Sequence, residues 1–270
     1  MKKWSRETKG QIGFVPTMGY LHEGHLSLVR KSRTACDYTV ASIFINPKQF
    51  GANEDLSTYP VDLESDSAKL AALGVDVLFL PQRDEIYPDG YKTYVNVEEI
   101  TEQLCGKSRP ALFRGVTTVV IKLFNIVRPH TAFFGEKDWQ QLNVIRTMVR
   151  DLNMDVIIEG LPTARETDGL ARSSRNVYLS ESERNSARCL SQSLEAAKKL
   201  VSEGEFSAAR IRDKVRNVIE EQDHTAIDYI AICNPETFVE QTAVTGKTLV
   251  ALAVWIGKAR LIDNCLLERN

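Results

Sequence analysis

Along the first 160 or so residues, apolar positions fall into two repeating patterns. Short apolar runs at Ile12–Val15, Tyr38–Ile45, Val75–Leu80, Ala132–Phe134 and Val156–Gly160 predict strands. Between them, Leu26–Cys36, Leu63–Leu73, Val116–Val127 and Trp139–Asp151 place apolar residues at helical spacing, the last through Leu142, Ile145, Met148, Val149 and Leu152. Strands alternating with helices predict an α/β fold with a parallel sheet and crossover helices. After Leu161-Pro162 the pattern changes to amphipathic helices over Ser180–Glu203 and Ser207–Glu221, then strands over Ile227–Ile232 and Thr248–Ile256. A domain boundary is therefore expected near Pro162, dividing the chain into 1–163 and 164–270. Asn46–Pro60 and Pro81–Tyr94, rich in Pro, Gly, Asn and Asp, read as long loops over a site.

Composition narrows the class of protein. At 270 residues there is chain enough for two cores, and 43% apolar content, 26% charged content and a net charge of −2 are ordinary. Nothing global attracts nucleic acid or a membrane, so any polyanion contact has to be local. The five cysteines are scattered without a CxxC, which argues against a disulfide framework and a cysteine zinc site and points to a reducing cytoplasm. No apolar run approaches the roughly 18 residues of a membrane span.

The most informative segment is Phe14-Val15-Pro16-Thr17-Met18-Gly19-Tyr20-Leu21-His22-Glu23-Gly24-His25, an apolar stretch entering a Gly-broken turn with two histidines. Pro16 and Gly19 favour a turn, Gly24 allows close backbone approach, and Leu26-Ser27-Leu28-Val29 opens a helix whose N–H groups attract an anion. A zinc pair would need a third ligand, and His130 and His224 show no matching spacing. Imidazole donors to a phosphate fit the turn better. Gly135-Glu136-Lys137-Asp138 follows a strand, where open α/β sheets bind ligands. Alone, it reads equally well as a capped helix start. The loop Glu166–Asn176 sets two serines between two guanidinium groups, with Gly169 giving it freedom to close, chemistry suited to a triphosphate and also to a solvated linker. Asn46, Gln49 and Gln141 are uncharged amides able to orient a hydroxylated acid.

Taken together and in order, PTMGYLHEGHLSLV (16–29), FINPKQFGANEDLSTYP (44–60), LCGKSRP (104–110), TVVIKLFNIVRP (118–129), FFGEKDWQQLNVIRTMVRDLN (133–153), ETDGLARSSRNVYLS (166–180) and IGKARLIDN (256–264) resemble the pantothenate synthetase (pantoate–β-alanine ligase) family of the class I nucleotidylyltransferase superfamily. The resemblance implies a Rossmann-like parallel-sheet ATP domain, a smaller α+β C-terminal domain beginning with a phosphate loop, and a cytoplasmic homodimer. It implies joining of pantoate to β-alanine with ATP and Mg2+ through a pantoyl adenylate, releasing pyrophosphate and AMP. By the same resemblance, Pro16, Thr17, Met18, Gly19, His22, Gly24 and His25 form the nucleotide turn, with His25 as general acid. Gly135, Lys137, Asp138 and Ala164 contact ATP, and Ser173, Ser174 and Arg175 form the closing loop. Gln49, Gln141 and Met18 hold pantoate under a flap bearing Asn46 and Tyr59, while Asp66 lies near the metal. The chain departs from the family pattern at Tyr20, at Ala111-Leu112-Phe113-Arg114 and at Arg172, and a strand and helix common in the family before the Phe-Val-Pro segment have no counterpart in Met1–Ile12.

In such a reaction one anion attacks another, so His22, His25, Lys137 and Arg175 are expected to neutralise charge rather than to act as nucleophiles. Loops 46–60 and 166–176 are expected to close over an intermediate that water would destroy. Two other readings are another adenylyl-transferring enzyme of the same superfamily and a catalytically silent nucleotide-binding protein.

Overall fold

The computed structural model describes residues 1–51 and 54–269; Ala52 and Asn53, inside the expected 46–60 loop, lie outside the described residues. The chain divides into two compact units. The first holds Met1–Thr101, Ser108–Glu136 and Gln140–Pro162, and the second holds Glu102–Lys107, Lys137–Trp139 and the residues from Thr163 onward.

In chain order the elements up to Leu161 are α1 (Lys2–Glu7), β1 (Ile12–Thr17), α2 (Glu23–Ala35), β2 (Tyr38–Ile43), α3 (Leu63–Ala72), β3 (Val77–Phe79), α4 (Arg83–Ile86), α5 (Cys105–Ser108, mostly in the second unit), α6 (Leu112–Val127), β4 (Thr131–Gly135), α7 (Trp139–Asp151) and β5 (Ile157–Leu161). The strands form one parallel sheet in the order β3-β2-β1-β4-β5. Phe14, Val15, Ala132 and Phe133 are fully buried, as expected of central strands covered on both faces. The alternation of strand and helix is thus the α/β architecture expected, with bounds shifted by a few residues. Residues 2–7 form a short helix rather than an edge strand: Ser5 Oγ donates to the Ile126 carbonyl of α6 at 3.4 Å, and β3 and β5 are the sheet edges. In this order β2 and β3 are added on one side of β1 and β4 and β5 on the other, a switch point between β1 and β4, and ligands of open sheets bind at the carboxyl ends of such a pair. Thr17 ends β1 and Gly135 ends β4.

The second part contains α8 (Glu181–Ala187), α9 (Cys189–Ser202), α10 (Ala208–Glu220), β6 (Thr225–Cys233), β7 (Lys247–Ile256) and β8 (Ala259–Glu268). Its antiparallel sheet has the order β6-β7-β8. One face packs Val250, Leu252, Val254 and Ile256 against Leu190, Leu194, Ile211 and Val215 of the helices. Ser180–Glu203, expected as one helix, is broken at Arg188, whose N–H reaches the Asn185 carbonyl at 3.4 Å. The adjustment lets Ala187, Cys189 and Leu190 all be buried. Strand β8 has no counterpart among the predicted strands; among its core-facing positions is a charged residue, Asp263, 2% exposed.

Candidate active site

The turn after β1 is built by its backbone. Thr17 Oγ1 accepts from Gly19 N at 3.2 Å and donates to the Ser42 carbonyl at 2.8 Å. Gly19 (φ 86°) and Tyr20 (φ 52°) both take left-handed conformations, natural for the glycine and costly for the tyrosine. The compensating contact is Asp66. Its two oxygens accept from Tyr20 N and Leu21 N at 2.7 Å each, and Lys69 Nζ donates to the Leu21 carbonyl at 2.9 Å. Asp66 is 1% exposed, so it stands behind the histidine turn with both oxygens engaged, not open toward a metal. Among the described residues no group of three or more His, Cys, Asp or Glu side chains could hold a metal ion.

His22 caps α2. Its Nδ1 accepts from Gly24 N at 3.1 Å, and His25 Nδ1 accepts from His22 N at 3.3 Å, a reciprocal capping box written with imidazoles. An Nδ1 that accepts carries no proton, so in each neutral ring the proton sits on Nε2. This assignment follows from the hydrogen-bond network. The rings lie 4.1 Å apart, centre to centre, tilted by 33°. The capping that forms the helix thus also turns both side chains into fixed Nε2–H donors beside a helix N-terminus.

The amides form a second group in the first unit. Gln49 Nε2 donates to Met18 Sδ at 3.0 Å, and Asn46 Nδ2 donates to Gln49 Oε1 at 3.0 Å. Asn46 is 1% exposed, with further bonds to the Gly115 carbonyl and Tyr87 OH. It supports Gln49 from behind, and Gln49 is the amide left half-buried. Burial pushes the Tyr87 hydroxyl above its ordinary value, which keeps it a donor to Asn46. Tyr59 packs edge-on against Phe50 at 6.0 Å, and Gln141 is half-buried near the start of α7.

Arg109 grips the same loop. Nε reaches Glu54 Oε1 at 2.7 Å, Nη2 binds Glu54 Oε2, and Nη2 also reaches the Gln49 carbonyl at 3.2 Å. Arg109 lies in LCGKSRP (104–110), where nothing along the chain ties it to residues 49 and 54. Gly115 is similarly silent in sequence. A Cβ there would lie 2.3 Å from the Lys48 carbonyl oxygen and 2.7 Å from Gln49 N. Gly115→Ala must displace that backbone, at a cost of about 1–3 kcal/mol. Since the displaced segment carries Gln49, which the family resemblance expects to hold the acid, the variant is expected to raise the KM for that substrate about tenfold, the scale of one lost orienting hydrogen bond. Steady-state kinetics against that substrate check this, and an unchanged KM would refute it.

In the second unit, the segment after Pro162 folds as a tight hairpin. Arg172 N donates to the Ala164 carbonyl at 2.9 Å, Arg165 pairs with Ala171, and Gly169 (φ 92°) makes the turn. Ser173 then caps a short 3-10 turn, Ser174–Tyr178, with Oγ accepting from Arg175 N at 3.2 Å. Ser174 is buried and Arg175 half-buried. The loop's acids are taken up by Arg184, which binds Glu166 at 3.0 Å and Asp168 at 2.8 Å. The hydrogen bond from Arg184 holds the Asp168 carboxyl below its usual range. Lys137 is 18% exposed, with Asp138 at 3.9 Å. The two units thus hold separate sets: Pro16 to His25, Gln49, Gly135 and Gln141 in the first, Lys137, Asp138, Ala164 and Ser173 to Arg175 in the second.

The family model described as pantoate-beta-alanine ligase matches residues 1–266. The chain belongs to the pantoate–beta-alanine ligase family. Pantothenate synthetase of Geobacter sulfurreducens is 57% identical over 99% of this chain and 95% of its own length. The Acetivibrio thermocellus protein of the same name is 59% identical over 95% of this chain and 92% of its own. Among solved structures, pantothenate synthetase from Thermus thermophilus superposes with a TM-score of 0.94 at 45% identity, covering 97% of this chain and 96% of that one. Pantoate-beta-alanine ligase from Francisella tularensis, solved with beta-gamma ATP and beta-alanine, gives a TM-score of 0.80 at 36% identity over 98% and 94%. The five-stranded parallel sheet and the small antiparallel sheet are therefore those of a pantoate–beta-alanine ligase fold.

Proposed function

We infer that this chain condenses pantoate with β-alanine at the expense of ATP, forming pantothenate for coenzyme A synthesis. A pantoate carboxylate oxygen attacks the α-phosphorus, the bond to pyrophosphate breaks, and pantoyl adenylate forms. The β-alanine nitrogen then attacks the acyl carbon, the bond to AMP breaks, and the amine loses its proton. Neither step needs an enzyme nucleophile.

The observation that carries this reading is the imidazole pair: each Nδ1 is held by backbone N–H, so each ring offers Nε2–H at the carboxyl end of β1. Neutral, pre-oriented donors suit the charge that builds on phosphate oxygens in the first step. Their capping role favours donation from a neutral ring over the imidazolium of a simple general acid. Lys137 and Arg175 supply fixed positive charge to the same ATP, with Gly135, Asp138, Ala164, Ser173 and Ser174 as its other contacts. Gln49 and Gln141 orient pantoate. Magnesium would arrive bound to the nucleotide phosphates. We assign a cytoplasmic homodimer on the family resemblance; the free cysteines are in keeping with that compartment, and no helix among the described residues is long and apolar enough to cross a membrane. Sedimentation velocity tests the dimer.

The test is AMP and pyrophosphate release from ATP with pantoate, with and without β-alanine. Pantoate-dependent ATP–pyrophosphate exchange in the absence of β-alanine, and pantothenate only in its presence, is the expected pattern. Exchange driven equally by unrelated acids, or ATP binding with no pyrophosphate released, would refute the assignment.

A further inference from the structure

Strand β8 carries two adjacent polar residues whose side chains leave on opposite faces. Asp263, on the core face with Leu261 and Cys265, receives Arg165 in a two-point contact, Nη1 at 2.7 Å and Nη2 at 2.9 Å. The same Nη1 donates to the Gly169 carbonyl at 3.0 Å, so one guanidinium ties the strand to the first arm and the turn of the hairpin that leads into Ser173, Ser174 and Arg175. On the other face, Asn264 Nδ2 donates to the Lys137 carbonyl at 2.9 Å. Asn264 N in turn donates to Asp263 Oδ1 at 2.8 Å, which links the two contacts. β8 is an edge strand, with β7 on one side only.

A charge at a core-facing position is poor economy for folding alone, since a buried ion pair seldom improves on well-packed apolar residues. What Asp263 does accomplish is geometric. Resting on the ligase reading, we propose that Asp263 and Asn264 are positioning residues that set the Lys137 segment and the serine–arginine loop in a fixed register for the phosphates of ATP. Neither side chain touches the reacting atoms. They act through Arg165 and through the Lys137 backbone.

The test uses Asn264→Ala, at a half-exposed position where folding is least at risk, together with Asp263→Asn. For each, pyrophosphate exchange gives the KM for ATP and for pantoate, a single-turnover assay follows transfer of preformed pantoyl adenylate to β-alanine, and thermal melting reports the fold. Losing one orienting bond is expected to raise the KM for ATP about tenfold and lower the exchange kcat. The KM for pantoate and the acyl transfer should stay within about threefold of the parent. An unchanged KM for ATP in Asn264→Ala overturns the proposal. So does a parallel loss of both half-reactions that follows the melting temperature. A parent chain without pantoate-dependent exchange overturns the ligase reading as well, and the unsubstituted control identifies that failure.

Discussion

His25→Ala is expected to lower pantoate-dependent pyrophosphate exchange about 10²–10³-fold, the usual cost of removing one pre-oriented donor from a transition state. The substitution removes two things at once: an Nε2–H donor and the Nδ1 acceptor that caps His22 N. Loss of a cap costs about 0.5–2 kcal/mol of stability, which by itself would not slow chemistry in the folded enzyme. His25→Asn separates them, because an amide oxygen can still accept the His22 N–H while nothing occupies the Nε2 position. Asparagine should therefore recover most of the melting temperature and little of the rate. If the imidazole acts mainly on the developing charge, kcat falls far more than the affinity for pantoate, measured by equilibrium binding. Equal loss of rate and affinity would show uniform binding and would remove His25 from the transition state.

The framework of the first unit was readable along the chain because its strands are continuous apolar runs between helices, and parallel strands covered on both faces carry that signature. The histidine turn was readable for a related reason: residues 16–25 are local, and the capping geometry that orients His22 and His25 lies within four residues. What could not be read depends on partners far apart in sequence. Asn46 faces Gly115 and Tyr87, Arg109 faces Glu54 and Gln49, and Asp66 faces Tyr20 and Leu21. Asn46 reads along the chain as an amide able to meet ligand, and only the family resemblance singles out Asp66. Their burial and their distant hydrogen-bond partners appear only with the packing. β8 went unpredicted for the same reason, since Asp263 interrupts the apolar alternation where it receives Arg165 from 98 positions away. Local rules fail where a residue serves the geometry of a site.

Asp66→Ala is expected to be the most damaging single change to the histidine turn. It leaves the N–H groups of Tyr20 and Leu21 without the acceptor that both share. A buried polar group that loses its partner costs about 1–3 kcal/mol, so the pair costs several, a large fraction of a typical domain's stability. The turn is also strained, with Tyr20 at φ 52°, and the bond from its N–H to Asp66 is one of the contacts that hold it there. Asp66→Asn is the sharper experiment. One oxygen can still accept one of the two amides, while the NH2 group meets the other as donor against donor. Intermediate destabilisation with severe loss of exchange is the expected result, read by chemical denaturation and by kinetics on the same samples. A metal-ligand role predicts a different pattern: little change in stability without magnesium, and activity recovered by raising magnesium. Recovery of Asp66→Asn at high magnesium would place the carboxylate at the ion. Loss that is insensitive to magnesium and matched by a lower unfolding midpoint would fix it as the clamp that aims His22 and His25.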